Sequence, residues 1–143
     1  MNTATYNPRD WIATFGAIPL MDGVADGDFL EVEYDEDLTT VVTGAGGDSV
    51  LVLNLNQVAT ATVRVLQASP VNDALSILAA SWQSGAGTPQ PFFVKTKNGA
   101  TTAVSASAAI KKIPKITGSK DAPTNEWTFV LTKAKFFQGG AAR

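Results

Sequence analysis

The stretch SVLVLNLNQVATATVRVL (residues 49–66) indicates the fold class of this chain, because its side chains alternate in character along the sequence. One face of each half is apolar, with Leu51, Leu53 and Leu55 in the first half and Ala61, Val63 and Val65 in the second. Alternation at every second residue is typical of a half-buried β-strand. We therefore predict strands at 49–56 and 59–66. We expect them to form a hairpin through Gln57 and Val58, although this connection lacks the Asn-Gly pair of a tight turn.

Strand-like segments also lie on both sides of this stretch. They are Trp11–Phe15, Asp28–Tyr34, Phe92–Thr96, Thr101–Val104 and Glu126–Phe137. The pair Asn98-Gly99 predicts a tight turn between the third and the fourth of these segments. Residues 105–112 fit either a short helix or a strand.

One helix is predicted between the strands. Ser69 can cap its start, Pro70 suits the first helical position, and apolar residues then recur at helical spacing from Val71 to Trp82. The predicted fold is mainly β: a single-domain antiparallel β-sandwich or barrel, residues 1–143, with one α-helix packed on it. We expect an N-terminal arm at about residues 1–10 and a long loop at about residues 35–48.

The charged residues are sorted along the sequence. Residues 1–73 contain eleven acidic and two basic residues, whereas residues 74–143 contain nine basic and two acidic ones, so a net charge of −2 hides two oppositely charged halves. Opposite charges on separate patches would attract a second copy of the chain and favour head-to-tail assembly. The alternative is that the two halves interleave in one globule and the charges only solvate its surface.

Composition excludes several kinds of chemistry. The sequence contains no cysteine and no histidine, which rules out disulfides, thiol nucleophiles, His-dependent triads and the usual zinc sites. We see no secretion signal or membrane span, and we expect a soluble protein made in the cytoplasm without membrane insertion. No cofactor, metal site or catalytic residue is predicted.

Three segments have compositions that suggest a binding site. The eight acidic residues between Asp22 and Asp37 lack the ligand spacing of a calcium loop and are best interpreted as an electrostatic surface. The loop Gly44–Asp48 lacks the Lys-Ser/Thr of a phosphate-binding loop, and a flexible loop tip is the better interpretation. Lys111, Lys112, Lys115 and Lys120 form a modest basic patch, for which a solvated face is favoured over DNA recognition.

An ordered set of residues resembles the family of bacteriophage tail tube proteins from contractile-tailed virions. The set is Tyr6, Pro8, Asp10 and Trp11, then Phe15-Gly16, Gly23, Asp26–Leu30, Asp35–Thr39, Gly44–Asp48, Ser69-Pro70, Asn72 and Trp127. The resemblance implies a structural virion protein of the tail, not an enzyme, that is assembled in the host cytoplasm. Such subunits form hexameric rings whose inner sheets join edge to edge, and the rings stack into a tube for genome ejection. The implied partners are other copies of the chain, sheath, tape-measure and baseplate proteins, and DNA in transient, non-specific passage.

Site residues follow from combining this resemblance with the charge pattern. Lysines bind DNA by replacing the counterions of its phosphates, so a conduit for DNA should lack them on its lumen. We therefore expect an acidic or neutral lumen formed by Glu31, Glu33, Asn54, Asn56, Thr60 and Thr62. Their alternative role is an ordinary solvent-facing sheet surface. Contacts between stacked rings are expected from Asp35, Glu36, Asp37, Gly44, Gly47 and Asp48, with Lys111, Lys112, Lys115 and Lys120 as their basic complement.

Other functional classes remain open on the sequence. A tube subunit of a related contractile injection or secretion system would share the architecture. A β-sandwich binding module would share the strands but stay monomeric and carry a pocket or an aromatic platform. A glycosidase with paired carboxylates is disfavoured, because the acidic residues cluster in one segment.

Overall fold

The computed structural model of the protein describes residues 7–97 and 99–139. A short 3₁₀ helix, Pro8–Asp10, precedes the first strand. In chain order the elements are β1 Trp11–Phe15, β2 Ile18–Pro19, β3 Leu30–Tyr34, β4 Thr39–Thr43, β5 Ser49–Leu53, β6 Ala59–Leu66, α1 Val71–Gln83, β7 Gln90–Thr96, β8 Thr101–Lys112, β9 Thr124–Thr132 and β10 Lys135–Gln138. The described part of the chain is therefore mainly β with one α-helix, as predicted.

Eight strands form one antiparallel sheet in the order β2-β1-β7-β8-β9-β6-β3, with β10 also paired to β8. The long strand β8 changes partner along its length. Its first residues pair with β10 and its later residues with β9. The segment predicted to be helix or strand, 105–112, is thus the second half of β8.

The predicted single strand Glu126–Phe137 is wrong, because the chain breaks between β9 and β10. Lys133 adopts a positive φ of 50°, which ends the extended conformation. The backbone N–H of the buried Ala134 then donates to Gln57 O instead of continuing the ladder. The Asn98 position of the predicted turn lies outside the described residues, and Gly99, in the same β7–β8 connection, has a φ of +73°.

The sheet folds over into two layers. Neighbouring strands lie about 4.8 Å apart, so β1 and β9, three steps apart in the sheet, would be about 14 Å apart if it were flat. Instead, the rings of Phe15 on β1 and Phe129 on β9 have centroids only 5.0 Å apart, and Phe92 on β7 lies 5.1 Å from Phe129. All three rings are fully buried. This arrangement is a β-sandwich with an aromatic core.

Helix α1 packs on this sandwich where the sequence predicts it. The apolar residues Val71, Leu75 and Ala79 are buried. Ser69 Oγ accepts a hydrogen bond from Val71 N at 3.3 Å and donates to Asp22 O, so Ser69 satisfies a backbone donor of the first turn. The helix starts at Val71, one residue later than predicted.

The predicted hairpin at 49–66 is wrong, although both of its strands exist. β5 pairs with β4 in a separate two-stranded sheet, and β6 lies between β3 and β9. Between β5 and β6, Asn54 and Asn56 each accept a hydrogen bond from the backbone N–H two residues ahead, which is the Asx turn that competes with a strand.

The partner strand β4 lies inside the segment predicted as a long loop, residues 35–48. Its sequence, Thr-Thr-Val-Val-Thr, consists entirely of β-branched residues. The loop prediction therefore holds only for residues outside Thr39–Thr43.

Candidate assembly surfaces

A four-stranded layer carries most of the predicted lumen residues. It consists of β3, β6, β9 and the second half of β8, and one of its faces covers the core. On the other, outward face, cross-strand partners form a row from one edge to the opposite edge: Glu31, Thr62, Thr128 and Lys112. A second row contains Glu33, Thr60, Val130 and Ala109. Both rows place threonine or valine in the centre, with the acidic side chains at the β3 edge.

The structure brings together four of the six predicted lumen residues and leaves two elsewhere. Glu31, Glu33, Thr60 and Thr62 share the outward face. Asn54 and Asn56 lie in the connection between β5 and β6, where the Asn54 side chain contacts Glu36. A hairpin at 49–66 would place them beside Thr60 and Thr62. Because β5 pairs with β4 instead of β6, the two asparagines lie away from this face.

Arg64 on β6 is matched by two carboxylates on this face. Its guanidinium lies 3.3 Å from Glu31 Oε1 and 3.2 Å from Glu126 Oε2, and it also donates to Asp28 O at 3.0 Å. Burial lowers the pKa of Arg64, but the hydrogen bonds and charges of Glu31 and Glu126 outweigh this effect and raise it. The cation stays charged and is paired within the same copy of the chain.

The β4–β5 hairpin has no apolar layer beneath it. All ten of its strand residues are exposed, and neither strand contains a charged residue. Val41 pairs with Leu51 on one face, and Val42 pairs with Val50 on the other, so both faces are aliphatic. Leu51 is 71% exposed and the nearby Leu55 is 81% exposed. An isolated two-stranded hairpin is at best marginally stable in water, and exposed aliphatic surface of this kind is typical of interaction sites.

The residues predicted for contacts between rings lie at the two ends of this hairpin. Asp35, Glu36 and Asp37 are at its base, where Asp35 Oδ1 accepts a hydrogen bond from Thr60 Oγ1 at 2.6 Å. Gly44, Gly47 and Asp48 form the tip, which is closed by a hydrogen bond from Gly44 N to Asp48 O at 2.8 Å. The two groups are separated by a five-residue strand, roughly 17 Å in length.

The predicted basic complement lies at and beyond the end of β8. Lys111 and Lys112 are the last two residues of the strand and are exposed. Lys115 and Lys120 are in the following connection, residues 113–123, together with a completely exposed Ile116. Elsewhere, charged residues from the two halves of the sequence lie close together. Lys97 lies 3.9 Å from Asp10, and Arg64 contacts Glu126.

Other kinds of site find little support in the described part of the chain. No group of three or more acidic side chains there is placed to hold a metal ion. None of the helical segments in those residues has the length and apolar character of a membrane crossing. A cavity of about 260 Å³ lies between β3 and the opposite layer; its lining is partly apolar, with Trp11, Phe29 and Phe136, and partly polar, with Asp28 and Gln138.

One family model and several solved structures match this chain. The family model described as "Bacteriophage PhiTE tail tube protein" matches residues 7–139. Comparison with the curated proteins gives no match.

Three solved structures share the fold. A chain in the cryo-EM structure of an extracellular contractile injection system, PVC sheath/tube terminator in extended state, has a TM-score of 0.64 at 16% identity, covering 94% of this chain and 97% of that one. A chain in the structure of the anti-feeding prophage cap (AFP tube terminating cap) has a TM-score of 0.65 at 12% identity, covering 98% and 95%. A chain in the PVC sheath-tube complex in extended state has a TM-score of 0.59 at 14% identity, covering 95% and 93%.

Proposed function

Because its match extends over residues 7–139, the chain belongs to the bacteriophage PhiTE tail tube protein family, and we propose that it forms the inner tube of a contractile virion tail. In this proposal six copies form a ring, the rings stack head to tail, and the genome passes through the tube during ejection. Sheath, tape-measure and baseplate proteins are the other proposed partners. The proposal assigns the protein to the virion tail, with assembly in the host cytoplasm and no enzymatic activity.

The single observation that carries the proposal is the four-stranded layer, which has a polar outward face and two edges without a paired strand. Among the described residues, β3 pairs only with β6, and β8 has no partner on its β7 side beyond Ala108. Unpaired edges promote aggregation unless another strand covers them. Joining the layers of six copies would cover both edges of each layer and give a closed barrel.

The size of this barrel follows from strand spacing. Four strands from each of six copies give about 24 strands, and a spacing of about 4.8 Å then gives a backbone diameter of roughly 37 Å for upright strands. A tilt of about 40° widens it to roughly 48 Å. The outward face would become the lumen, with Thr60 and Thr62 at the centre of each copy.

The composition of this face suits a conduit. DNA binds proteins mainly through lysine and arginine, which replace the counterions of its phosphates. The central positions of the face are Thr60, Thr62, Thr128 and Val130, and the nearby Arg64 is paired with Glu31 and Glu126. DNA would meet few unpaired cations on this face and would therefore pass over it without stable binding.

The β4–β5 hairpin is proposed to join stacked rings. Its two aliphatic faces need cover from other chains, and the acidic residues at its base, Asp35, Glu36 and Asp37, complement Lys115 and Lys120. Ordering an exposed segment on assembly is common in such contacts. Gly44, Gly47 and Asp48 at its tip would reach farthest into the neighbouring ring.

Electron microscopy of the purified protein, with sedimentation velocity over a range of concentrations, tests this function. We expect rings or long hollow filaments, and removal of residues 39–53 with a Gly-Ser replacement should stop stacking. A protein that stays monomeric at high concentration and at every salt concentration would refute the proposal and favour a β-sandwich binding module with the 260 Å³ cavity as its site.

A second candidate is a tube-terminating subunit of a phage tail or of a contractile injection system. It is favoured by the two fold matches to structures described as a sheath/tube terminator and a tube terminating cap, which cover nearly the whole of both chains. The same electron micrographs separate the two functions. A terminator would form single rings that bind tube ends, whereas a tube subunit would form long filaments by itself.

A further inference from the structure

Charge is distributed unequally between the two open edges of the four-stranded layer. The β3 edge carries Glu31 and Glu33 on the outward face, and the opposite edge, at the end of β8, carries Lys111 and Lys112. Lys112 lies in the same cross-strand row as Glu31, three strands away, which is about 14 Å. The two charges are therefore too far apart to pair within one copy.

We propose that the seam between neighbouring subunits is an antiparallel pairing of the β3 edge of one copy with residues 109–112 of β8 of the next, in which Glu31 and Glu33 face Lys112. This inference rests on the proposed ring and assigns the residues that close it. Its occupant on each edge is a second copy of this chain.

Strand direction permits this seam. Each neighbour in the order β3-β6-β9-β8 is antiparallel, so the first and the fourth strands run in opposite directions. Rotation about a ring axis preserves the direction of every strand relative to that axis. The β8 end of the next copy would therefore lie antiparallel to β3, and the sheet would continue with its outward face on the same side.

Charge then selects the ring over a two-fold dimer. A two-fold axis could also pair the edges, but it would place β3 against β3 and therefore Glu against Glu, or it would bring the lysine-bearing ends of two β8 strands together. Like charges directly opposite each other destabilise a strand pair, whereas opposite charges stabilise it. Only the β3-to-β8 pairing is heterologous, and heterologous contacts are the ones that close into rings.

Register does not change the argument. Strands paired antiparallel keep directly opposite residues on the same face of the sheet. Lys112 shares its face with Thr128 and hence with Glu31 and Glu33. Whichever glutamate is opposite Lys112, the other is a diagonal neighbour about 7–8 Å away, within reach of a lysine side chain.

The test is a charge reversal across the seam. Glu33 and Lys112 are chosen because Glu31 already binds Arg64, and a change there would disturb an ion pair within the copy. We expect Glu33→Lys alone and Lys112→Glu alone to raise the concentration needed for ring formation at least tenfold, measured by sedimentation velocity at low salt. The double variant should recover most of the loss, and Lys133→Glu, a reversal at an exposed lysine just beyond the end of β9, should leave ring formation unchanged.

Several results would overturn the inference. Rings in the wild type with no rescue in the double variant would disprove this seam while leaving the proposed function intact, whereas a wild type that never assembles would disprove both. A stable two-fold dimer joined through β3 would also disprove it. Finally, Glu33→Gln should weaken assembly; stronger assembly would mean that the glutamates keep edges apart rather than join them.

Discussion

Replacing Asn72 should strongly destabilise the subunit. Asn72 lies in the first turn of α1 and holds the helix against two strands. Its Nδ2 donates to the carbonyl oxygens of Leu66, Gln67 and Ser69 at 3.0–3.1 Å, and its Oδ1 accepts from Asn125 Nδ2 at 3.0 Å and Trp127 Nε1 at 2.9 Å.

The magnitude follows from what Asn72→Ala leaves without a partner. Trp127 is only 2% exposed, so its Nε1 donor would lose its partner in a nearly dry site, at a cost of about 1–3 kcal/mol. The three carbonyl oxygens are closer to solvent and add about 1 kcal/mol between them. We therefore expect a loss of about 3 kcal/mol in the free energy of unfolding, or a fall in Tm of about 10 °C for a domain of this size.

The assay is urea unfolding followed by circular dichroism, at concentrations below any assembly. Asn125→Ala is the matched control: it removes the other donor to Asn72 Oδ1 and leaves the Trp127 contact in place, so its cost should be only about 1 kcal/mol. In a double-mutant cycle, Asn72→Ala and Trp127→Phe together should cost about 1 kcal/mol less than the sum of the single changes. A loss below about 0.5 kcal/mol for Asn72→Ala, or additive effects in the cycle, would refute the reasoning.

Three further predictions concern the lumen, the hairpin and the packing of α1. Thr62→Lys would put a ring of lysines into each layer of the proposed lumen, so tubes should bind DNA in a salt-dependent manner and virions should release the genome more slowly; unchanged binding and release would count against the lumen assignment. Val42→Asp with Leu51→Asp should leave monomer stability within about 0.5 kcal/mol, because both residues are exposed, but should abolish stacking as seen by electron microscopy; normal tubes would exclude the hairpin from ring contacts. Gly87→Ala should lower the free energy of unfolding by about 1–3 kcal/mol, because a Cβ there would lie 2.3 Å from the Trp82 ring; wild-type Tm would contradict the close packing.

Much of the fold follows from local sequence patterns. Alternation correctly predicted β3 and β6, and β-prone composition predicted β1; each of these strands has one face towards the core. The helix was predicted from its apolar spacing and from Ser69. Trp127 and Asn72, which the family resemblance selected, turn out to hydrogen-bond each other.

The errors arise where pairing depends on residues far away in the sequence. Period-two alternation in 49–56 predicts an extended segment but does not identify its partner, and the all-β-branched run at 39–43 was the missed signal for β4. Because both edges of β6 are occupied by β3 and β9, β5 has no place beside it. At the break after Lys133, Ala134 N donates to Gln57 O, a contact distant in sequence that no local pattern indicates.

The relative positions of the candidate site residues could be predicted to a similar extent. Residues on β3 and β6 came together because strand alternation fixes the face of each side chain, whereas Asn54 and Asn56 were misplaced with the hairpin. The position of Lys112 opposite the acidic edge could not be predicted, since it depends on the sheet order and on the irregularity between Ile110 and Lys112.

A cryo-EM reconstruction of the assembled protein would test most directly whether copies complete one another's sheets. The account predicts a continuous antiparallel barrel of about 24 strands, roughly 37–48 Å across its backbone, with Thr60, Thr62 and Glu33 on the inner surface and β3 beside the neighbour's β8 at every seam. A tube whose lumen is lined by α1 or by the β4–β5 hairpin, or subunits whose β3 edges stay unpaired in the assembly, would contradict it.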